Sequence, residues 1–121
     1  MEESDFQKLV KQSKKAIKEN TIQEVKAKQD SGHQFFLVDT REDLEWEASR
    51  IKGAIHIGKG VLERDINKNI PDKNAEIILY CGGGSRSALA AESLQKMGYK
   101  NVISMDGGIR AWADADYPME S

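Results

Sequence analysis

The chain has 121 residues, which is enough for one compact domain and short for two, so we expect a single domain. Its 20 acidic and 18 basic residues nearly cancel and neither sign forms a long run, so the charge pattern argues against nucleic-acid binding. No apolar stretch is long enough to cross a membrane, and the first residues lack the basic and apolar regions of a signal peptide, so no membrane partner is expected.

The amino-terminal segment carries a thin apolar stripe. Residues 6–18 place apolar side chains at a roughly helical spacing, with lysines between them. We therefore interpret residues 1–20 as an amphipathic helical extension that packs on a domain formed by residues 21–121. A loosely attached tail is the alternative, because so few apolar residues line the stripe.

Helices and short apolar strands alternate through the rest of the chain. Thr21 and Glu24 have the spacing of a capping box, so a helix is expected to begin there and to end near Gly32. The continuous apolar run 35–38 predicts a strand that is covered on both faces. Further helices are predicted at 42–48, 61–66 and 85–97 and around Trp112, and further strands at 54–57, 76–80 and 102–105. In helix 42–48, Leu44 and Ala48 are expected to face inward.

This alternation predicts an α/β domain with a mostly parallel central sheet and helices on both of its faces. In sheets of this kind, ligands bind outside the carboxyl ends of the strands. Two polar clusters fall at such positions. One reads Asp39-Thr40-Arg41, and the other is the loop that follows strand 76–80.

That loop reads Cys81-Gly82-Gly83-Gly84-Ser85-Arg86-Ser87. A thiol is nucleophilic as its thiolate, and three features of the loop are expected to lower the pKa of Cys81. Amides at the start of the next helix favour an anion, the glycines let successive N–H groups converge, and Arg86 adds positive charge. The loop therefore predicts covalent catalysis through Cys81, with an S-linked intermediate held by backbone amides. The alternative is a buried, inert cysteine beside a tight turn.

Cysteine and histidine are scarce in this chain. Its single cysteine, Cys81, cannot form an internal disulfide, so a reduced, cytoplasmic setting is the simplest interpretation. The two histidines, His33 and His56, lie far apart in the sequence, which argues against a zinc cluster.

Four segments together resemble the single-domain rhodaneses, which are thiosulfate-type sulfurtransferases with a Cys-x-x-Gly-x-Arg loop. In chain order they are 38–41, 51–57, 81–87 and 106–112, and the resemblance covers about 21–118. It implies a rhodanese-like single domain in which Cys81 takes a sulfane sulfur from a donor such as thiosulfate and forms a persulfide. The loop from Gly82 to Ser87 then holds that sulfur until cyanide or a low-molecular thiol removes it. The resemblance implies no metal and no organic cofactor.

One departure from the family pattern concerns charge. Many relatives carry a charged residue directly after the cysteine, where this chain has Gly82. The positive field at the loop is therefore expected to come from Arg86, with help from Arg41 or Arg64. A contact of Arg41 or Arg64 with the substrate is left open, and for Arg64 a solvated helix charge is the preferred interpretation.

Structural roles are expected for several neighbouring side chains. We expect Arg86 to brace the loop, for example by pairing with Asp39, although it can also contact a substrate oxyanion. Arg41 is expected to pair with Glu45, four residues further along a helix. His56 is interpreted as a hydrogen-bonded histidine rather than a general base. Two hydroxyls are candidates either for contacts to the persulfide or for capping the next helix: those of Ser85 and Ser87.

Two other functions compete with sulfur transfer. Cysteine-based phosphatases and arsenate reductases of related architecture place five residues between their cysteine and arginine, whereas four lie between Cys81 and Arg86. The tighter loop favours a single sulfur atom over a tetrahedral oxyanion. The second alternative is a binding module, or a sulfur relay that receives its persulfide from a partner protein.

Overall fold

The computed structural model describes residues 2–121, in which helices and strands alternate as predicted. The strands are β1 Lys18–Asn20, β2 Phe36–Asp39, β3 Arg50–Ile51, β4 Ile55–His56, β5 Ile77–Tyr80, β6 Val102–Met105 and β7 Met119–Glu120. The helices are α1 Asp5–Ala16, α2 Ile22–Asp30, α3 Asp43–Ala48, α4 Leu62–Asn69, α5 Ser85–Lys96 and α6 Gly108–Asp114. A 3-10 turn at Lys59–Val61 precedes α4.

Five strands form one parallel sheet in the order β1-β6-β5-β2-β4. All four residues of the central strand β5 are buried, and they alternate between the two faces. Ile77 and Leu79 pack with residues of α4 and α5 on one face, while Ile78 and Tyr80 pack with α2 and α6 on the other. The predicted α/β fold, with a parallel sheet covered on both faces, is confirmed.

The amino-terminal segment is attached to this sheet. Helix α1 packs on α5, where the buried Ser13 hydroxyl donates to Glu92 Oε1 at 2.8 Å. The next residues form the edge strand β1, which pairs with β6 and was not predicted because Lys18–Asn20 is short and polar. The alternative of a loosely attached amino-terminal tail is therefore wrong. A domain boundary at residue 21 stays a prediction.

Local sequence patterns predicted the ends of α2 correctly, but they predicted the wrong orientation for side chains of α3. The predicted capping box is present, since the Glu24 amide donates to Thr21 Oγ1 and the Thr21 amide donates to Glu24 Oε1. Gly32 follows the helix with a φ of +74°, as expected for a helix stop. The prediction that Leu44 and Ala48 face inward is wrong, because Leu44 is 81% exposed, Ala48 is exposed as well, and α3 buries no residue.

The carboxyl ends of β2, β5 and β6 lie at the same edge of the sheet, because these neighbouring strands are parallel. This edge holds the Asp39 cluster, the Cys81 loop and the turn at Asp106. Strands β3 and β7 form a separate two-stranded antiparallel sheet, and β3 contacts α3 and α6. Within residues 2–121, no helix is both long and apolar enough to cross a membrane.

Candidate active site

The Cys81 loop connects the end of β5 to the start of α5. The strand end is fixed by Thr40, whose amide and hydroxyl both donate to the Tyr80 carbonyl oxygen at 2.9 Å. Gly84 is the residue before α5 and has a φ of +104°, a conformation that favours glycine. A Cβ there would also lie 3.3 Å from the Gly107 amide nitrogen, so the loop has little room for a side chain at this position.

The sulfur of Cys81 is held by backbone amides. The Gly84 amide donates to Sγ at 3.1 Å, and the Ser87 amide donates at 3.4 Å. The thiol in turn donates to Ser87 Oγ at 3.6 Å, and this contact can reverse its direction when the sulfur is ionised. The residue is only 1% exposed, so its sulfur is almost completely shielded from solvent.

These contacts change the acidity of the thiol. Burial raises the pKa of Cys81, but the Ser87 hydroxyl and the amides of Ser87, Gly84 and Gly83 lower it more strongly in sum. The pKa therefore lies below that of an ordinary thiol, and the thiolate fraction at neutral pH is increased. The arrangement also suits a second anionic sulfur bonded to the first.

Ser87 forms a hydrogen bond with Ser104, a residue that the sequence analysis did not identify as part of the site. Its Oγ lies 2.8 Å from Ser104 Oγ on β6, and both residues are fully buried. The available signal was a polar residue inside the apolar strand Val102–Met105. Capping of α5 by Ser85 or Ser87, one of the two expected roles, is not observed, because the residue before the helix is Gly84 and no side chain caps it.

Arg86 braces the loop, although its partner differs from the expected one. Its guanidinium binds both carboxylate oxygens of Glu45 on α3, at 2.8 and 3.1 Å, rather than Asp39. The hydrogen bonds from Arg86 are the main cause that lowers the pKa of Glu45 to about 2. The side chain of Arg86 is 31% exposed, so part of it still faces solvent.

Arg41 has exchanged partners with Arg86 relative to the prediction. It binds the buried carboxylate of Asp39 through two guanidinium nitrogens, at 2.8 to 3.1 Å, and donates to the Ser49 carbonyl oxygen at 2.6 Å. The predicted pair with Glu45 is therefore wrong. Asp39 precedes the turn, and its Oδ1 accepts a hydrogen bond from the Arg41 amide. This turn brings the Arg41 side chain back to the carboxylate two residues earlier, which favours the pair with Asp39 over a pair with Glu45 along the helix.

Two further predicted residues lie outside the loop contacts. His56 Nε2 is 2.8 Å from the Arg41 carbonyl oxygen, and its ring stacks on Trp46, which agrees with a structural role. Arg64 is 73% exposed and pairs with its neighbour Asp65, which agrees with a solvated helix charge. Neither observation places Arg64 near the sulfur.

The turn before α6 orients the loop. The Ile109 amide donates to the Cys81 carbonyl oxygen at 2.9 Å, and the Arg110 amide donates to the Gly82 carbonyl oxygen at 3.1 Å. In a trans peptide the C=O and the following N–H point in opposite directions. Fixing these two carbonyls on α6 therefore directs the amides of Gly82 and Gly83 away from α6. The guanidinium of Arg110, which the sequence analysis did not single out, lies over the same two glycines.

The site contains no candidate ligand set for a metal. Across residues 2–121, no group of three or more histidine, cysteine, aspartate and glutamate side chains is placed to hold a metal ion.

Residues 21–115 match the sequence profile of the rhodanese-like domain. The chain belongs to the rhodanese-like domain family. Its relatives include the thiosulfate sulfurtransferase GlpE of Haemophilus influenzae, which is 35% identical over 86 residues that cover 70% of this chain and 79% of GlpE. A protein named as a sulfur carrier is also related. "Putative sulfur carrier protein YrkF" of Bacillus subtilis is 36% identical over 97 residues, or 80% of this chain.

The chain spans about half of YrkF, since the match covers 51% of that protein. A solved structure matches almost end to end. RPA3614 of Rhodopseudomonas palustris, a protein of unknown function described as a "Possible Tyrosine Phosphatase", superposes with a TM-score of 0.89 at 30% identity. The match covers 99% of this chain and 97% of RPA3614, so it includes the amino-terminal helix as well as the rhodanese-like domain.

Proposed function

We propose that this rhodanese-like chain is a sulfurtransferase that moves a sulfane sulfur from thiosulfate to cyanide or a thiol through a persulfide of Cys81. In this proposal Cys81 is the nucleophile. The substrate-binding residues are those of the loop that follows it: Gly82, Gly83, Gly84, Ser85, Arg86 and Ser87. We also propose a reduced, cytoplasmic setting, because the reaction needs its cysteine as a thiol.

The hydrogen bonds to the sulfur are the observation that carries the proposal. The amides of Gly84 and Ser87 point at Sγ from 3.1 and 3.4 Å, and the pKa of Cys81 lies below that of an ordinary thiol. An inert buried cysteine needs no such set of donors. Preoriented amides stabilise negative charge where it is located during the reaction, without reorganisation.

The two steps balance in atoms and charge. The Cys81 thiolate attacks the outer sulfur of thiosulfate, the S–S bond of the donor breaks, and sulfite leaves with the electron pair. The product is a Cys81 persulfide anion, and the loop amides hold its outer sulfur. Cyanide then attacks that sulfur and leaves as thiocyanate, which returns the thiolate. A thiolate acceptor reacts in the same way and leaves as its own persulfide.

Thiocyanate formation from thiosulfate and cyanide tests the proposal. We expect turnover by the parent chain and none by Cys81→Ser, with Ser93→Ala as a control on the same helix as the loop. Ser93 is half-buried and lies outside the sulfur contacts. Transfer by Cys81→Ser at the parent rate would contradict the proposal.

A phosphatase is the second candidate, because RPA3614 carries that description and matches the whole chain. The length of the loop favours sulfur over phosphate. Only four residues lie between Cys81 and Arg86, and this tighter loop suits the single outer sulfur of a persulfide better than a tetrahedral phosphoryl group bonded to the cysteine. Hydrolysis of p-nitrophenyl phosphate, measured beside thiocyanate formation, decides between them. Faster ester hydrolysis than sulfur transfer would favour the phosphatase.

A sulfur relay is the third candidate, since YrkF is named as a sulfur carrier. In that case the donor is a persulfide-carrying protein, and thiosulfate is ignored. Side-by-side rates with thiosulfate and with a persulfidated protein donor separate the two. If the protein donor loads Cys81 with sulfur and thiosulfate does not, the proposed donor changes from thiosulfate to a protein persulfide, and the Cys81 persulfide remains part of the proposal.

A further inference from the structure

Four arginines of the chain differ in whether a carboxylate neutralises them. Arg41 binds Asp39, Arg64 binds Asp65, and Arg86 binds Glu45. Arg110 is exposed, and within residues 2–121 no carboxylate lies within ion-pair distance of its guanidinium. Of these four arginines, Arg110 is therefore the one whose charge is available to a ligand.

Arg110 lies over the glycines that follow the cysteine. Its Nη1 is 3.2 Å from the position that a Cβ would occupy at Gly83, and its Nη2 is 3.4 Å from the corresponding position at Gly82. These are close-packing distances, so the guanidinium of Arg110 lies directly against the backbone of the two residues that follow the nucleophilic thiol.

A second guanidinium reaches the same loop residue, Gly82. Arg86 Nη2 lies 3.2 Å from the Cβ position of Gly82, so the two Nη2 atoms are no farther apart than the sum of these two distances. Two like charges at this separation repel each other, and Glu45 neutralises only Arg86. An anion placed between them removes the repulsion and accepts hydrogen bonds from both forks.

We infer that Arg110, together with the solvent-facing edge of Arg86, forms a binding site for the oxyanion end of the sulfur donor. The inference rests on the proposed sulfur transfer and names its substrate class: donors whose sulfane sulfur is attached to an anionic, oxygen-bearing group, such as thiosulfate. Arg110 is a specificity-determining residue in this arrangement. It supplies from α6 the charge that Gly82 cannot supply from the loop.

The site acts mainly on binding. The oxygens of thiosulfate carry negative charge both before the S–S bond breaks and in the departing sulfite. An arginine that binds them therefore stabilises the ground state and the transition state to a similar extent, which lowers the KM and leaves kcat nearly unchanged.

The test compares Arg110→Gln, Arg110→Lys and the control Arg64→Gln in the thiosulfate–cyanide assay. Arg64→Gln removes the same charge from an exposed, paired arginine away from the sulfur. For Arg110→Gln we expect the KM for thiosulfate to rise about tenfold, the loss of one charge-assisted hydrogen bond, with kcat within about twofold. Arg110→Lys recovers part of the KM because it keeps the charge and loses the fork. Parent-like kinetics of Arg110→Gln would overturn the inference.

A second measurement is independent of sulfur transfer. The chain has one cysteine, so alkylation detected by mass spectrometry reports on Cys81 alone. We expect Arg110→Gln to slow the reaction with the anion iodoacetate by about fivefold or more while the rate with neutral iodoacetamide stays close to that of the parent. If both rates are unchanged, Arg110 binds no anion at this site. If the parent does not react with thiosulfate but Arg110→Gln still slows the reaction with iodoacetate, thiosulfate is not the donor, whereas the anion-binding role of Arg110 is supported.

Discussion

Two glycine turns lie side by side at the carboxyl ends of β5 and β6, and they have similar backbone conformations but different hydrogen-bond partners. Each places a left-handed glycine directly before a helix, Gly84 with a φ of +104° and Gly107 with a φ of +83°. Amides of the first turn point at the Cys81 sulfur. Amides after the second turn donate to the carbonyl oxygens of Cys81 and Gly82. The first turn therefore contacts the sulfur, and the second turn orients the first.

The supporting turn gives the largest expected effect. A Cβ at Gly108 would lie 2.5 Å from the carbonyl oxygens of both Cys81 and Gly82, and its φ of +59° adds strain. We expect Gly108→Ala to lower the free energy of unfolding by about 3 kcal/mol and to reduce transfer more than about a hundredfold through displacement of the loop. Denaturant unfolding and thiocyanate formation measure both.

Gly32→Ala is the matched control for this change. Gly32 also has a positive φ, +74°, but nothing lies within 4 Å of its Cβ position. Only the backbone strain remains, so we expect a loss of about 1 kcal/mol and unchanged transfer. If the two variants behave alike, close packing of the second turn on the first is not what holds the loop.

The amide and hydroxyl contacts of the first turn give the next effect. Ser87→Ala removes the hydroxyl that lowers the pKa of Cys81, so that pKa rises and the thiolate fraction at neutral pH falls. We expect about tenfold slower alkylation by iodoacetamide at neutral pH, with the parent and variant rates converging at high pH. A rate ratio that does not change with pH would show that the hydroxyl acts through packing only.

The ion pair that anchors the first turn to α3 gives a smaller effect. Glu45→Gln removes the carboxylate that Arg86 binds, and both side chains are about one-third exposed, so we expect a loss of at most about 1 kcal/mol at neutral pH. Glu47→Gln, an exposed change on the same helix, is the control.

The pH dependence of this pair has a defined sign. The pKa of Glu45 is lowered in the folded chain from 4.5 to about 2, so the pair stabilises the fold fully above pH 4.5. This contribution is lost as the pH falls from 4.5 toward 2. Acid unfolding should therefore show a difference between parent and Glu45→Gln that shrinks across this window. A difference that persists at pH 2 would assign the effect to shape instead of charge.

The smallest effect is expected inside the first turn at Gly82. A Cβ there would lie 3.2 Å from Arg86 Nη2 and 3.4 Å from Arg110 Nη2, and both are the ends of flexible side chains. We expect Gly82→Ala to fold with parent stability and to raise the KM for thiosulfate about threefold as the arginines move apart. An unchanged KM would indicate that the space over Gly82 is not used by the donor.

The comparison of the two turns also shows what the sequence could predict. Apolar runs predicted four of the five strands of the parallel sheet, and the cysteine among glycines marked the loop, because these signals are local in sequence. The pairing of Arg86 with Glu45 and of Arg41 with Asp39 was predicted in exchanged form, since any of these carboxylates is within reach until the orientation of α3 is known. Ser104 and Arg110 reach the loop from β6 and α6, and contacts between distant segments leave no spacing signal.

The intact mass of the chain tests the central claim most directly. After incubation with thiosulfate and removal of the excess, the parent should gain the mass of one sulfur atom per chain, and cyanide should remove it. Cys81→Ser should gain nothing, which places the sulfur on the only cysteine. A parent chain that gains no sulfur under conditions in which it is folded, or a Cys81→Ser variant that gains as much, would contradict the account.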